Sequence, residues 1–84
     1  MHEIKDYLYR VFAEQGNNST AFHYAVDNLR KEFQTVKELA CETYVDEARE
    51  VSFLVDVFYV DGWIVTLELE KSSFGEEFNF GICQ

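Results

Sequence analysis

Proline is missing from this 84-residue chain, cysteine occurs twice, glycine four times, and lysine and arginine together supply seven charges against sixteen from aspartate and glutamate. Each scarcity excludes something. The lack of proline and of any low-complexity tract disfavours a linker or a disordered segment. Two cysteines, Cys41 and Cys83, are too few and too far apart for a disulfide framework or a zinc centre, so both are expected to be reduced thiols and no metal or other cofactor is expected. The glycines at 16, 62, 75 and 81 read as turn and strand punctuation, and no glycine-rich phosphate loop can be built from them. No stretch of eighteen apolar residues is present, which disfavours a membrane span. The first residues, MHEIKDYLYR, lack the basic and then apolar blocks of a secretory signal, so a cytoplasmic location is expected.

The shortage of basic residues leaves a formal charge of -9 on 9.9 kDa. Such a surface repels nucleic acid and anionic membranes. Arg30, Lys31 and Lys37 form a small basic cluster, but Asp27, Glu32 and Glu38 stand beside it, so direct nucleic-acid binding is excluded on charge. A partner with a basic surface is what this composition attracts. The plainer alternative is that the charge only keeps a small aromatic-rich protein soluble.

What the chain has in abundance is apolar surface: 48% hydrophobic residues, with eight Phe, five Tyr and one Trp. That supplies one core, and 1–84 is read as a single domain. Ile4, Leu8, Val11 and Phe12 recur at helical spacing over 3–15, and Gly16-Asn17-Asn18-Ser19-Thr20 supplies a glycine stop followed by N-capping side chains. A second helix follows, with Phe22, Val26, Leu29 and Phe33 on one stripe. Residues 36–48 support two readings. Thr35 with Glu38 fits a capping box and the propensities favour a third short helix, whereas Leu39, Cys41, Thr43 and Val45 alternate as in a strand. Helix is preferred.

Farther on, EVSFLVDVFYV, Asp61-Gly62 and WIVTLELEK read as a β-hairpin. A two-residue loop would set Val51, Phe53, Val55, Val57 and Tyr59 on one face with Thr66, Glu68 and Glu70. A three-residue loop, Val60-Asp61-Gly62, aligns the same apolar set with Trp63, Val65, Leu67 and Leu69, and burial at roughly 1.5–3 kcal/mol per side chain favours it. Phe78, Phe80 and Ile82 alternate in a final strand. The expected fold is α+β: two N-terminal helices packed on a three- to four-stranded antiparallel sheet, with Ser52, Asp56, Thr66, Glu68 and Glu70 on the outer face.

Chemistry is poorly represented. His23 and Asp27 stand one helical turn apart, but no nucleophile or further ligand is fixed beside them, and an enzyme is not expected. The acids carry more information. Read as a helix, 36–48 would bring Glu38, Glu42 and Asp46 into a row at successive i, i+4 positions about 6 Å apart, broadly the separation of phosphates on a strand. Read as a strand, Glu38 and Glu42 still share a face by alternation. Glu47 and Glu50 extend this acidic stretch, and Glu68 and Glu70 on the hairpin, with Glu76 and Glu77 in the following segment, form a second row. A competing docking site is an apolar patch of Leu54, Phe58 and Ile64 on the outer face, either exposed for a partner or covered by a helix or by a second subunit in a homodimer.

In size and charge the chain is similar to the small acidic inhibitors that phages make against host defence, the anti-CRISPR and anti-restriction proteins, and to toxin immunity proteins. The likeness implies a stoichiometric binder that blocks a nucleic-acid-handling complex by imitating its substrate and does no chemistry. The expected function is therefore inhibition of a host defence complex through Glu38, Glu42, Asp46, Glu47, Glu50, Glu68 and Glu70. The alternatives are an immunity or antitoxin protein against a cationic nuclease, or a subunit-interaction domain using the apolar patch.

Overall fold

The computed structural model describes residues 2–84. Two helices, α1 (His2–Gln15) and α2 (Ser19–Glu32), precede four strands, β1 (Val36–Asp46), β2 (Val51–Val60), β3 (Trp63–Ser72) and β4 (Gly75–Cys83). The strands pair antiparallel in chain order and form one four-stranded meander, against which the helices pack. This is the expected α+β architecture. No helix among the described residues is long and apolar enough to cross a membrane.

The helices form where the periodicity placed them. Ile4, Tyr7, Leu8 and Val11 of α1 and Ala21, Phe22, Ala25 and Leu29 of α2 are buried, with Phe12, Val26 and Phe33 packed at the margin of the same core. Gly16 ends α1 with φ +90°, a conformation that a side chain would strain. Asn18 then caps α2, its Oδ1 accepting from the Ala21 N–H at 3.1 Å, an interaction of about 1 kcal/mol. Two contacts tie this corner to the sheet. The Phe78 N–H donates to Asn17 Oδ1, and the Ser19 N–H donates to Glu76 Oε1 at 3.0 Å.

The preferred helix at 36–48 is not formed. Residues 36–46 are strand β1, paired with β2 from Val36↔Val60 to Asp46↔Val51. Propensity is worth a few tenths of a kcal/mol per residue, and a partner strand that satisfies the backbone outweighs it. Thr35, the proposed cap, instead brackets the sheet: its N–H donates to Asp61 Oδ1 at 2.9 Å and its carbonyl accepts from the Asp61 N–H at 3.0 Å.

The three-residue hairpin loop is also overturned. Val60 pairs with Trp63, leaving Asp61 and Gly62 alone in the turn with φ +47° and +94°. Two positive φ values in succession are the geometry whose twist matches a right-handed hairpin, and Asp-Gly is among the sequences that adopt it most readily. The consequence is that β2 is turned over relative to the expectation. Phe58 and Val60 face the helices with Val65, Leu67, Leu69 and Phe78, all at 1% exposure or less. Phe78 is the centre of this layer, stacked on Phe12 at 4.8 Å and edge-on to Phe22 at 5.9 Å. Val51, Phe53, Val55, Val57 and Tyr59 lie on the other face of the sheet, beside Thr66, Glu68 and Glu70. Glu68 and Glu70 stay out of the core in this register, because the helices do not cover that face, whereas Ser52 and Asp56, expected on the outer face, turn to the helix side with Phe58 and Asp56 is buried.

Candidate functional site

The uncovered face of the sheet is the candidate site. Its centre is the row Phe53, Val55, Val57 and Tyr59 of β2, with Tyr44 and Ile64 on the flanking strands. The first three are half-buried by their neighbours, and Tyr59 and Tyr44 are exposed. Carboxylates stand around this row in register. Glu42 of β1 and Glu68 of β3 both pair with Val55, from its two sides. Glu70 pairs with Phe53 on one side and with Glu77 of β4 on the other, a like-charge cross-strand pair that disfavours the isolated sheet. Two residues along a strand rise about 6.7 Å, so Glu68 and Glu70 keep the phosphate-like separation attributed to the helical row. Lys37, opposite Tyr59, is the basic residue that the register brings to this face.

Of the seven acids expected to act together, Glu42, Asp46, Glu68 and Glu70 share this face. Asp46 serves the β1–β2 turn as well. Its carboxylate accepts from the Arg49 N–H at 3.2 Å and from Arg49 Nε at 2.8 Å, which holds it below the usual aspartate range. Glu47 and Glu50 lie in that turn, Glu50 with φ +56°, at the end of the sheet. Glu38 is separated from the row. A β-bulge at Leu39 breaks the alternation, so Glu38 pairs with Phe58 and faces the helix side while Glu42 faces the open side. The expectation that Glu38 and Glu42 share a face in a strand fails on this one extra residue.

The apolar patch of Leu54, Phe58 and Ile64 is likewise dissolved. Phe58 is fully buried, Leu54 is half-buried on the same helix side, and Ile64 faces the opposite way. The apolar row left on the uncovered face is instead the one the three-residue loop would have buried. Tyr44 and the Phe53–Tyr59 row are the site residues that sequence reasoning missed, whereas Glu77 stands beside Glu70 as the second acidic row required. Their signal was present in the Asp-Gly turn, whose preferred length sets the register.

On the helix side, Glu38 meets Cys41 and Asp56. Cys41 pairs directly with Asp56, and one donor atom from each of the three residues lies within 4.8 Å of the others. Asp56 is 4% exposed, and its Oδ1 is buried with no hydrogen-bond partner. Burial, with the Glu38 carboxyl beside it, pushes the Asp56 acid up to about 7, against a weaker opposing pull from Arg30 of α2. Desolvation and the same two carboxyls raise Cys41. The ion pairs among the described residues, Arg10–Glu32, Arg49–Asp46 and Lys71–Glu76, include none of these groups.

No protein-family model, curated protein or solved structure matches the chain.

Proposed function

We propose that this protein is a non-enzymatic inhibitor of the anti-CRISPR or anti-restriction kind, which acts in the cytoplasm of a host cell by laying its open sheet face on a basic, nucleic-acid-binding surface of a host defence complex. The observation that carries this reading is the gathering of Glu42, Asp46, Glu68, Glu70 and Glu77 on the one sheet face that the helices leave bare. An apolar centre rimmed by charge is the composition of a protein-binding surface. Phe53, Val55, Val57 and Tyr59 supply contact area, and the carboxylates supply orientation and fast association with a cationic groove. The pairing of Glu70 with Glu77 is costly in the free protein and is relieved when lysine or arginine side chains come between them. The same charges oppose face-to-face docking of two copies, so a foreign basic partner suits this face better than a homodimer.

The test is capture of the partner from host lysate on immobilised protein, with duplex DNA as competitor. The expected result is a nucleic-acid-binding complex that DNA displaces, that elutes as salt rises, and that the variant Glu42→Lys/Glu68→Lys/Glu70→Lys fails to retain while remaining folded. A partner held equally by that variant and indifferent to DNA and salt overturns the reading.

A further inference from the structure

We infer that Glu38, Cys41 and Asp56 form a binding site for a divalent cation of the zinc class, held by one thiolate and two carboxylates where β1 and β2 meet on the helix side of the sheet. The site lies on the face opposite the docking surface, so the two readings stand or fall separately.

Three observations converge. The β-bulge at Leu39 is the first. Strict alternation would put Glu38 and Cys41, three residues apart, on opposite faces, and the extra residue returns them to the same side. The second is proximity, since an oxygen of Glu38, the sulfur of Cys41 and an oxygen of Asp56 all lie within 4.8 Å of one another. Ligand atoms around a tetrahedral zinc stand roughly 3.3–3.8 Å apart, given bonds of about 2.0–2.3 Å. Glu38 and Cys41 are exposed and free to turn through the remaining distance. The third is Asp56 itself. A carboxylate oxygen buried without a donor is unfavourable, and native structures retain such a group where something else satisfies it. Arg30, whose charge acts on Asp56, forms no ion pair with it among the described residues.

The donor set selects the ion. A thiolate is a poor ligand for magnesium or calcium, which take oxygen alone, whereas sulfur with carboxylate oxygen suits zinc and its spectroscopic surrogate cobalt(II). Binding displaces the Cys41 proton and any proton shared by the two carboxyls to solvent, so affinity rises with pH. Three protein ligands leave a fourth position at the exposed edge of the sheet, open to water.

Titration of the chelator-treated full chain with cobalt(II), followed by zinc, tests this. One cobalt per chain is expected, with a thiolate-to-cobalt charge-transfer band that zinc abolishes by displacement. Cys83→Ser should leave the band unchanged. Cys41→Ser should remove it, and Asp56→Asn, checked for folding by circular dichroism, should weaken zinc binding at least about tenfold. Absence of saturable cobalt binding, a band that survives Cys41→Ser, or a band that disappears with Cys83→Ser overturns the assignment.

Discussion

The two faces of the sheet are built from the same kinds of residue and meet different fates. β2 carries Leu54, Phe58 and Val60 toward the helices and Phe53, Val55 and Val57 away from them. Side by side on one strand, Phe58 is fully buried while Phe53 and Val57 keep part of their surface in water. The difference does not lie in hydrophobicity. It lies in which side the helices occupy, and the helices are committed to the side on which β3 presents Val65, Leu67 and Leu69. Glu68 and Glu70 alternate with those residues, so whatever β2 turns away from the helices must share a face with acids. An apolar row edged with carboxylates is thus the remainder left after the core is chosen.

The largest break of this comparison comes from cutting back one aromatic on each face. Phe58→Ala is expected to cost about 3–5 kcal/mol, enough to bring a small protein close to unfolding, whereas Phe53→Ala should cost about 1 kcal/mol or less. Urea denaturation checks both, and equal losses would mean that the open face is covered in solution.

A smaller change sharpens the contrast, because the covered face contains its own polar exception. Asp56→Val should stabilise the metal-free protein at pH 8 by about 1–3 kcal/mol, since it removes a buried oxygen that has no donor and suits a strand. The gain depends on pH in a definite sense. The folded state holds the Asp56 proton up to about 7 and the unfolded chain releases it near 3.8, so the folded state binds more protons between these values. The Asp56 contribution to wild-type stability therefore falls as pH climbs from 4 to 7 and levels above it. The advantage of the valine variant should grow over that window and shrink below it, as measured by urea midpoints in the presence of chelator. Zinc should reverse the order at neutral pH, because wild type gains stability from the ion by mass action and the variant does not.

The smallest effect concerns the anchor that holds the helix layer in place. Hydrogen bonds from Ser19 at the start of α2, and the nearby Lys71, hold the Glu76 carboxyl below its ordinary range. A depressed carboxyl contributes stability above its unfolded value, near 4.5, and that contribution is lost as pH falls through the folded value. Glu76→Gln should lower the melting temperature slightly at pH 7, and the difference should narrow as pH falls below about 4.5. A difference that does not narrow on acidification would show that the contact acts through packing and not through charge.

Much of this molecule was legible without coordinates. The stripe from Ile4 to Val11, the Gly16-to-Asn18 connection and the alternation of Val65, Leu67 and Leu69 each follow from a period that only one structure satisfies. Residues 36–46 were not legible in the same way. Glu38, Leu39 and Ala40 favour a helix locally, and the strand they form exists because β2 offers a partner along its whole length. The candidate docking site was half legible: Glu68 and Glu70 lie where strand alternation placed them, while Glu38 was lost to a bulge with no sequence marker. The Glu38–Cys41–Asp56 cluster was invisible, since spacings of three and fifteen residues match no ligand pattern and only pairing brings them together.

The sequence by itself determined the two helices, the hairpin with its Asp-Gly turn, and the surplus of acid, because these depend on residues near one another along the chain. Tertiary structure decided that residues 36–46 pair as a strand, which side of the sheet the helices cover, and where the acids collect. β2 carries Phe53, Val55, Val57 and Tyr59 on one face and Leu54, Phe58 and Val60 on the other, so its own pattern does not choose between them, and the two-residue length of the Asp61-Gly62 turn sets which row joins Val65, Leu67 and Leu69 under the helices.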